Sequence, residues 1–141
     1  MGANNNWLWT CSETIPSDTH EGQRLVKQLL SKLEEHSWGM SDVFGIHLAA
    51  EEAIVNAIKH GNAYNPEKNV QVEMNVGADR VSLRITDEGP GFDPVEVPDP
   101  TADENLENES GRGVMLIKAY MTDVQYNDRG NSVFMEKVRS Q

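Results

Sequence analysis

The chain has 141 residues, 38% hydrophobic, with 23 acidic against 12 basic side chains and a formal net charge of −11; that length suggests one domain over 1–141, able to bury roughly 70% of its unfolded surface without staples. So acidic a surface repels duplex DNA and RNA, and the single cysteine, Cys11, excludes an internal disulfide. No apolar run approaches the ~20 residues of a membrane span and MGANNNWLWT lacks a secretory pattern, so the expectation is a cytoplasmic protein partnered by neither nucleic acid nor membrane.

In chain order, residues 7–15, WLWTCSETI, read as a strand ended by Pro16. Ser17 or Asp18 is placed to cap a helix running to about Ser37, with Leu25, Val26, Leu29, Leu30 and Leu33 as its apolar stripe. After SWGM, Ser41 is the expected cap of a second helix over 42–60, which Gly61 would stop. Residues 64–66, YNP, form a turn. Two strands follow, 68–76 with Val70, Val72, Met74 and Val76 on one side, and 80–86 with Val81, Leu83 and Ile85 on one side. The link between them is short enough for a hairpin.

Residues 87–112 break the pattern: they hold four of the six prolines, and no Lys or Arg lies between Gly89 and Gly111. A stretch this long inside a compact domain is either functional or disordered. A short helix over 113–121 and two strands, 123–127 and 132–138 joined across DRGN, complete the chain. This order fits an α/β fold, a two-layer sandwich of a mostly antiparallel sheet with helices on one face.

Three motifs carry chemistry. In EEAIVNAIKHGN, residues 51–62, Glu52, Asn56 and His60 recur every fourth residue, with Lys59 beside them. Such spacing places them along one helix face, at the edge of a core side made by Ala53, Ile54, Ala57 and Ile58. An ordinary solvated face explains this equally well. The functional alternative is that the Asn56 amide oxygen serves as a hard ligand for Mg2+ and Glu52 accepts a proton or orients a water. In ITDEGPGFDP, residues 85–94, an apolar strand runs into Asp87 and then Gly89-Pro90-Gly91. A simple turn is the plain reading; alternatively, Asp87 accepts a hydrogen bond from the exocyclic amine of adenine while the glycines admit a ring close to the backbone. In SGRGVMLI, residues 110–117, Gly111 and Gly113 flank Arg112 at a helix start, where free backbone N–H groups favour an anion.

In this order the three motifs resemble the N, G1 and G2 boxes of the GHKL (Bergerat-type) ATPase superfamily, over about residues 7–138, and most closely the bacterial anti-sigma-factor serine/threonine kinases. The resemblance implies the Bergerat ATP-binding fold, ATP and Mg2+ as cofactors, and a lid over about 92–112. It implies Glu52 as catalytic base, Asn56 as the Mg2+ ligand and Asp87 as the adenine contact. Lys59, His60, Gly89, Gly91, Gly111, Arg112 and Gly113 complete the nucleotide-binding set. It further implies phosphorylation of an anti-anti-sigma-type protein, sequestration of a sigma factor, and room for a homodimer. The rival readings are an ATP-binding module that sequesters a partner without phosphoryl transfer, and a simple ATPase.

Overall fold

The computed structural model describes residues 7–90 and 109–140, the side chains of 109–113 excepted. Five strands, β1 (Trp7–Pro16), β2 (Asn69–Gly77), β3 (Arg80–Thr86), β4 (Asp123–Tyr126) and β5 (Ser132–Val138), form one sheet in the order β1-β2-β3-β5-β4. Every pairing is antiparallel. Three α-helices among the described residues, α1 (Thr19–Glu35), α2 (Met40–Asn56) and α3 (Glu109–Tyr120), cover one face. The two-layer α/β sandwich expected from the sequence is therefore the fold found. No helix of the described residues is long and apolar enough to cross a membrane.

The layers follow from side-chain period. In β2 and β3 the alternating residues Val70, Val72, Met74, Val76, Val81, Leu83 and Ile85 are buried under the helices, each such side chain contributing roughly 1.5–3 kcal/mol. The intervening positions are polar, with Arg84 stacked 5.2 Å from the Phe134 ring centroid and the buried Ser82 hydroxyl accepting from Asn75 Nδ2 at 3.1 Å. α1 contributes Leu25, Leu29 and Leu33 to the core. α2 lies centrally; its small residues Ala49, Ala50 and Ala53, and Ala57 just past its end, are all buried. At the α1–α2 crossing a Cβ on Gly22 would stand 2.7 Å from Ile54 Cγ2, so glycine there sets how closely the two helices approach.

Several boundaries differ from the sequence reading. Of the two caps offered for α1 it is Asp18 that serves, accepting from the His20 amide at 2.8 Å, and the helix ends at Glu35 rather than about Ser37. The cap of α2 is Gly39, with no side-chain cap bond, so Ser41 already lies inside the helix. Past Asn56 the α-helix widens into a π-helical turn, Ala57–Gly61, in which the Asn62 amide donates five residues back to the Ala57 carbonyl at 2.9 Å. Gly61 does not end the helix by a left-handed conformation; that role falls to Ala63 (φ 51°) and Tyr64 (φ 58°). α3 begins at Glu109, four residues before the expected 113, which puts Gly111, Arg112 and Gly113 within the helix rather than ahead of it. Glycine is a poor helix former, so propensity alone misplaces this start. Gly91 and residues 92–108 of the expected lid lie outside the described residues.

At the pole where the β2–β3 hairpin turns, the chain end is tied down. The Arg139 guanidinium lies 5.0 Å from the Trp38 ring centroid and donates to the carbonyls of Ala78 and Ser37. The buried Asp42 carboxylate accepts from the Ser140 hydroxyl at 2.6 Å and the Ser140 amide at 2.8 Å. Burial opposes the Asp42 charge, but Ser140, Lys137 and Arg139 outweigh it and hold the carboxyl below its ordinary 3.8. A carboxyl depressed in the folded state stabilises above its unfolded pKa and loses that contribution as pH falls through the folded value. Asp42→Asn should therefore lower stability by roughly 1–3 kcal/mol at neutral pH and flatten the loss of stability below pH 3.8. Urea unfolding at several pH values measures both effects.

Candidate functional site

The site is built where α2 ends against the loop that leaves β3. Glu52 and Asn56 stand one turn apart on α2, both half-buried, and Ala53, Ile54, Ala57 and Ile58 beside them are buried as the core side. The π turn moves Lys59 and His60 out of strict α-helical phase with that pair; Lys59 is half-buried and His60 exposed. A π turn inside an α-helix recurs at functional sites because the wider ladder redirects the residues it carries.

Gly61 meets the β3 loop directly. A Cβ on Gly61 would overlap the Asp87 carboxylate, and one on Gly89 would overlap the Gly61 carbonyl. Gly89 is thus required by close approach of two backbones, and Gly61 by the Asp87 side chain packed against the end of the helix. Asp87 is half-buried, and its Oδ1 accepts from the Gly89 amide at 2.8 Å. Burial pushes its carboxyl above the ordinary value, against the opposing pull of the Gly89 N–H and the positive charges of Arg129 and Lys68. One carboxylate oxygen is engaged within the loop, and a carboxylate has further acceptor positions for a ligand N–H.

Asn62, next after Gly61, was not singled out in the sequence, yet it is only 1% exposed. Its Nδ2 donates to Ser17 Oγ at 3.0 Å and to the Asn69 carbonyl at 2.9 Å, and its Oδ1 accepts from the Glu88 amide at 2.8 Å. One side chain thereby joins the ends of β1 and the helix to the start of β2 and the residue after Asp87. The β4–β5 turn supports the loop from the other side: Asn131 exchanges two 2.9 Å bonds with the Asp87 backbone, and Arg129 donates to the Gly89 carbonyl at 2.9 Å. The only hint of either support was an asparagine beside a glycine, HGN and RGN.

Of the residues expected at the site, the structure brings Asp87 and Gly89 into contact with the helix that carries Glu52, Asn56, Lys59 and His60. Gly111, Arg112 and Gly113 lie on α3, which packs along α2; Gly91 is outside the described residues. Among the described residues no group of three or more His, Cys, Asp or Glu is arranged to hold a metal ion. The donors at hand are oxygens, the Asn56 amide and the carboxylates. This hard set suits Mg2+, which takes one or two protein ligands and fills the rest with phosphate and water.

Comparison with known proteins bears on the same residues. The family model described as a histidine kinase-like ATPase domain matches residues 15–137. The chain belongs to the histidine kinase-like ATPase domain family. This ATPase-like domain is 32% identical over 102 residues to a serine-protein kinase RsbW of Listeria innocua, covering 65% of this chain and 63% of that protein. It is also 32% identical over 104 residues to an anti-sigma F factor of Oceanobacillus iheyensis, covering 70% of each. The chain therefore spans less than two thirds of the Listeria relative's length. A solved structure of the RsbU and RsbW domains of a Mycobacterium tuberculosis protein superimposes with a TM-score of 0.59 over 93% of this chain and 32% of that one, at 16% identity. That likeness shows the fold. The resemblance to the GHKL superfamily drawn from the three motifs is thereby borne out.

The tight joint gives a direct test of the geometry in this domain. Gly89→Ala should destabilise by about 1–3 kcal/mol through overpacking. Asn62→Ala, which strands the Glu88 N–H and the Asn69 carbonyl, should cost roughly 2–4 kcal/mol. Thermal melts followed by circular dichroism report both, and an unchanged midpoint for either would show that the joint is looser than described.

Proposed function

We propose that this domain binds Mg·ATP and transfers its γ-phosphoryl group to a Ser or Thr of an anti-anti-sigma-type protein, and that it also sequesters a sigma factor in the cytoplasm. The observation that carries the reading is the joint itself: Asp87 is pressed against Gly61, at the end of the same helical segment that bears Glu52 and Asn56 one turn apart. Relatives named as a serine-protein kinase and an anti-sigma factor support the protein partners. Residues 1–141 act in this reading as one ATP-binding kinase domain, with 92–112 as its lid. A net charge of −11 disfavours nucleic acid as a partner.

In this mechanism the Asp87 carboxylate accepts the adenine amine, which requires its ionised form. Gly89 and Gly91 admit the base to the backbone. Backbone amides of the first turn of α3, which includes Gly111 and Arg112, face the phosphates, with Gly113 next in the helix; the Arg112 and Lys59 charges assist, and His60 borders the same cleft. Mg2+, when bound through the Asn56 amide oxygen, supplies charge neutralisation of the phosphates. Glu52 orients the incoming hydroxyl and accepts its proton. Most of the acceleration comes from positioning and from fixed charges around the transferring group.

Glu52→Gln keeps shape and hydrogen bonding but cannot take the proton. It should retain Mg·ATP binding and partner binding while phosphoryl transfer falls on the order of 10²–10⁴-fold. Radiolabelled ATP with candidate partner proteins measures this. Label on a partner supports the kinase, free phosphate alone indicates an ATPase, and neither indicates a sequestering module. Asp87→Asn should weaken adenine-nucleotide affinity roughly 10- to 150-fold, as expected for loss of a charged hydrogen bond, with the domain still folded; calorimetry with ADP reads the change.

A further inference from the structure

The β4–β5 turn, residues 127–131, is more elaborate than a hairpin link needs to be. Asn127 Oδ1 accepts three backbone amides, from Gly130 at 2.8 Å, Asn131 at 3.0 Å and Ser132 at 3.2 Å, and its Nδ2 donates to Asn131 Oδ1 at 2.7 Å. Gly130 is left-handed at φ 78°, a conformation glycine adopts without cost. Asn131 is thus fixed before it touches anything else. The β3–β5 ladder ends at Thr86 and Ser132, whose hydroxyls meet at 2.7 Å.

Beyond that end, the turn continues the pairing by other means. The Asp87 amide donates to the Asn131 carbonyl and the Asn131 Nδ2 donates to the Asp87 carbonyl, both at 2.9 Å. Two residues on, the Arg129 Nη2 donates to the Gly89 carbonyl at 2.9 Å. Arg129 is exposed, and holding so long a side chain on one carbonyl costs conformational entropy; fold stability alone gives a weak reason for it.

We propose that Arg129 and Asn131 are positioning residues of the nucleotide site, holding the Asp87 loop in the geometry that receives an adenine base. The inference rests on the ATP-binding reading above and extends it to a turn that none of the three motifs includes. Asn131 sets the backbone on the near side of Asp87. Arg129 sets it on the far side and brings a positive charge to the carboxylate. The charged and titratable groups around Asp87 are Arg129 from the turn, Lys68 ahead of β2, Glu88 next in the chain and His60 beside Gly61. Arg129 and Lys68 favour the ionised carboxylate that burial disfavours.

The test is titration of the full chain with ADP by calorimetry from acid to neutral pH, for the wild type, R129A, R129K, N131A and R80A. Arg80 lies at the opposite end of β3, paired with Glu136, and serves as a control for net charge. R129A should bind roughly 3- to 10-fold more weakly, and the acid limb of its affinity profile should move to higher pH, because burial of Asp87 is then less opposed. R129K should keep the limb near the wild-type position. N131A should weaken binding without moving the limb, and R80A should do neither. Melting curves accompany each variant; should R129A not fold, R129K and N131A carry the test. Wild-type affinity and an unmoved limb in both R129A and N131A would overturn the proposal. Weakened binding that merely follows a lowered melting point, with the limb unmoved in R129A, would also overturn it. A wild type that binds no adenine nucleotide would overturn this inference together with the function it extends.

Discussion

Everything at the site depends on one steric fact: the end of a helix and the start of a loop meet backbone to backbone, at Gly61 and Gly89, with the Asp87 carboxylate pressed into the joint. No side chain other than that of Asp87 fits at the joint. The helix must therefore arrive at a fixed height and angle, and the loop must leave β3 in a fixed direction. The π turn, the left-handed Ala63 and Tyr64, and the buried Asn62 are the local adjustments that let the chain make this contact and still return to begin β2.

A half-buried carboxylate resists ionisation, and the surroundings of Asp87 address that cost only in part. A backbone N–H and two cations act against desolvation, yet the carboxyl remains above its ordinary value. Such a balance makes the carboxyl depend on its neighbours as well as on its burial. The far pole shows the opposite arrangement: Asp42 is buried more deeply but fully engaged by Ser140 and nearby cations, and its carboxyl is depressed. The first balance suits a group that meets a ligand, the second a group that only holds structure.

The architecture was legible because the apolar positions of β2 and β3 alternate and those of α1 recur at helical spacing; these periods identify the buried faces directly. Glu52, Asn56 and Asp87 were legible as a set because motif order survives without knowing any distance. What escaped was set by tertiary contact. Gly61 reads as a helix stop in isolation and is a steric requirement of Asp87 in the fold. Asn62 reads as a loop residue, since nothing local shows that it is enclosed by the ends of two strands. Arg129 and Asn131 lie some forty residues from the loop they support, and only the β3–β5 pairing brings them there. The start of α3 was misplaced because its glycines weaken the local signal that the later residues of the helix carry.

The π turn at Ala57–Gly61 also sets how this segment tolerates changes in length. Such a turn is equivalent to one residue inserted into a regular helix. It uses that extra residue for nearly the same rotation and rise as an α turn, so the insertion is absorbed where it falls. Deleting a single residue here would let the helix close its ladder in the ordinary way, with no break in hydrophobic pattern upstream. The chain beyond it would keep its phase and still arrive at the β3 loop, while the side chains carried by the turn would be re-aimed. A gap of one residue between this stretch and a relative's sequence therefore marks a change in what the helix presents after Asn56, with the joint to the loop preserved.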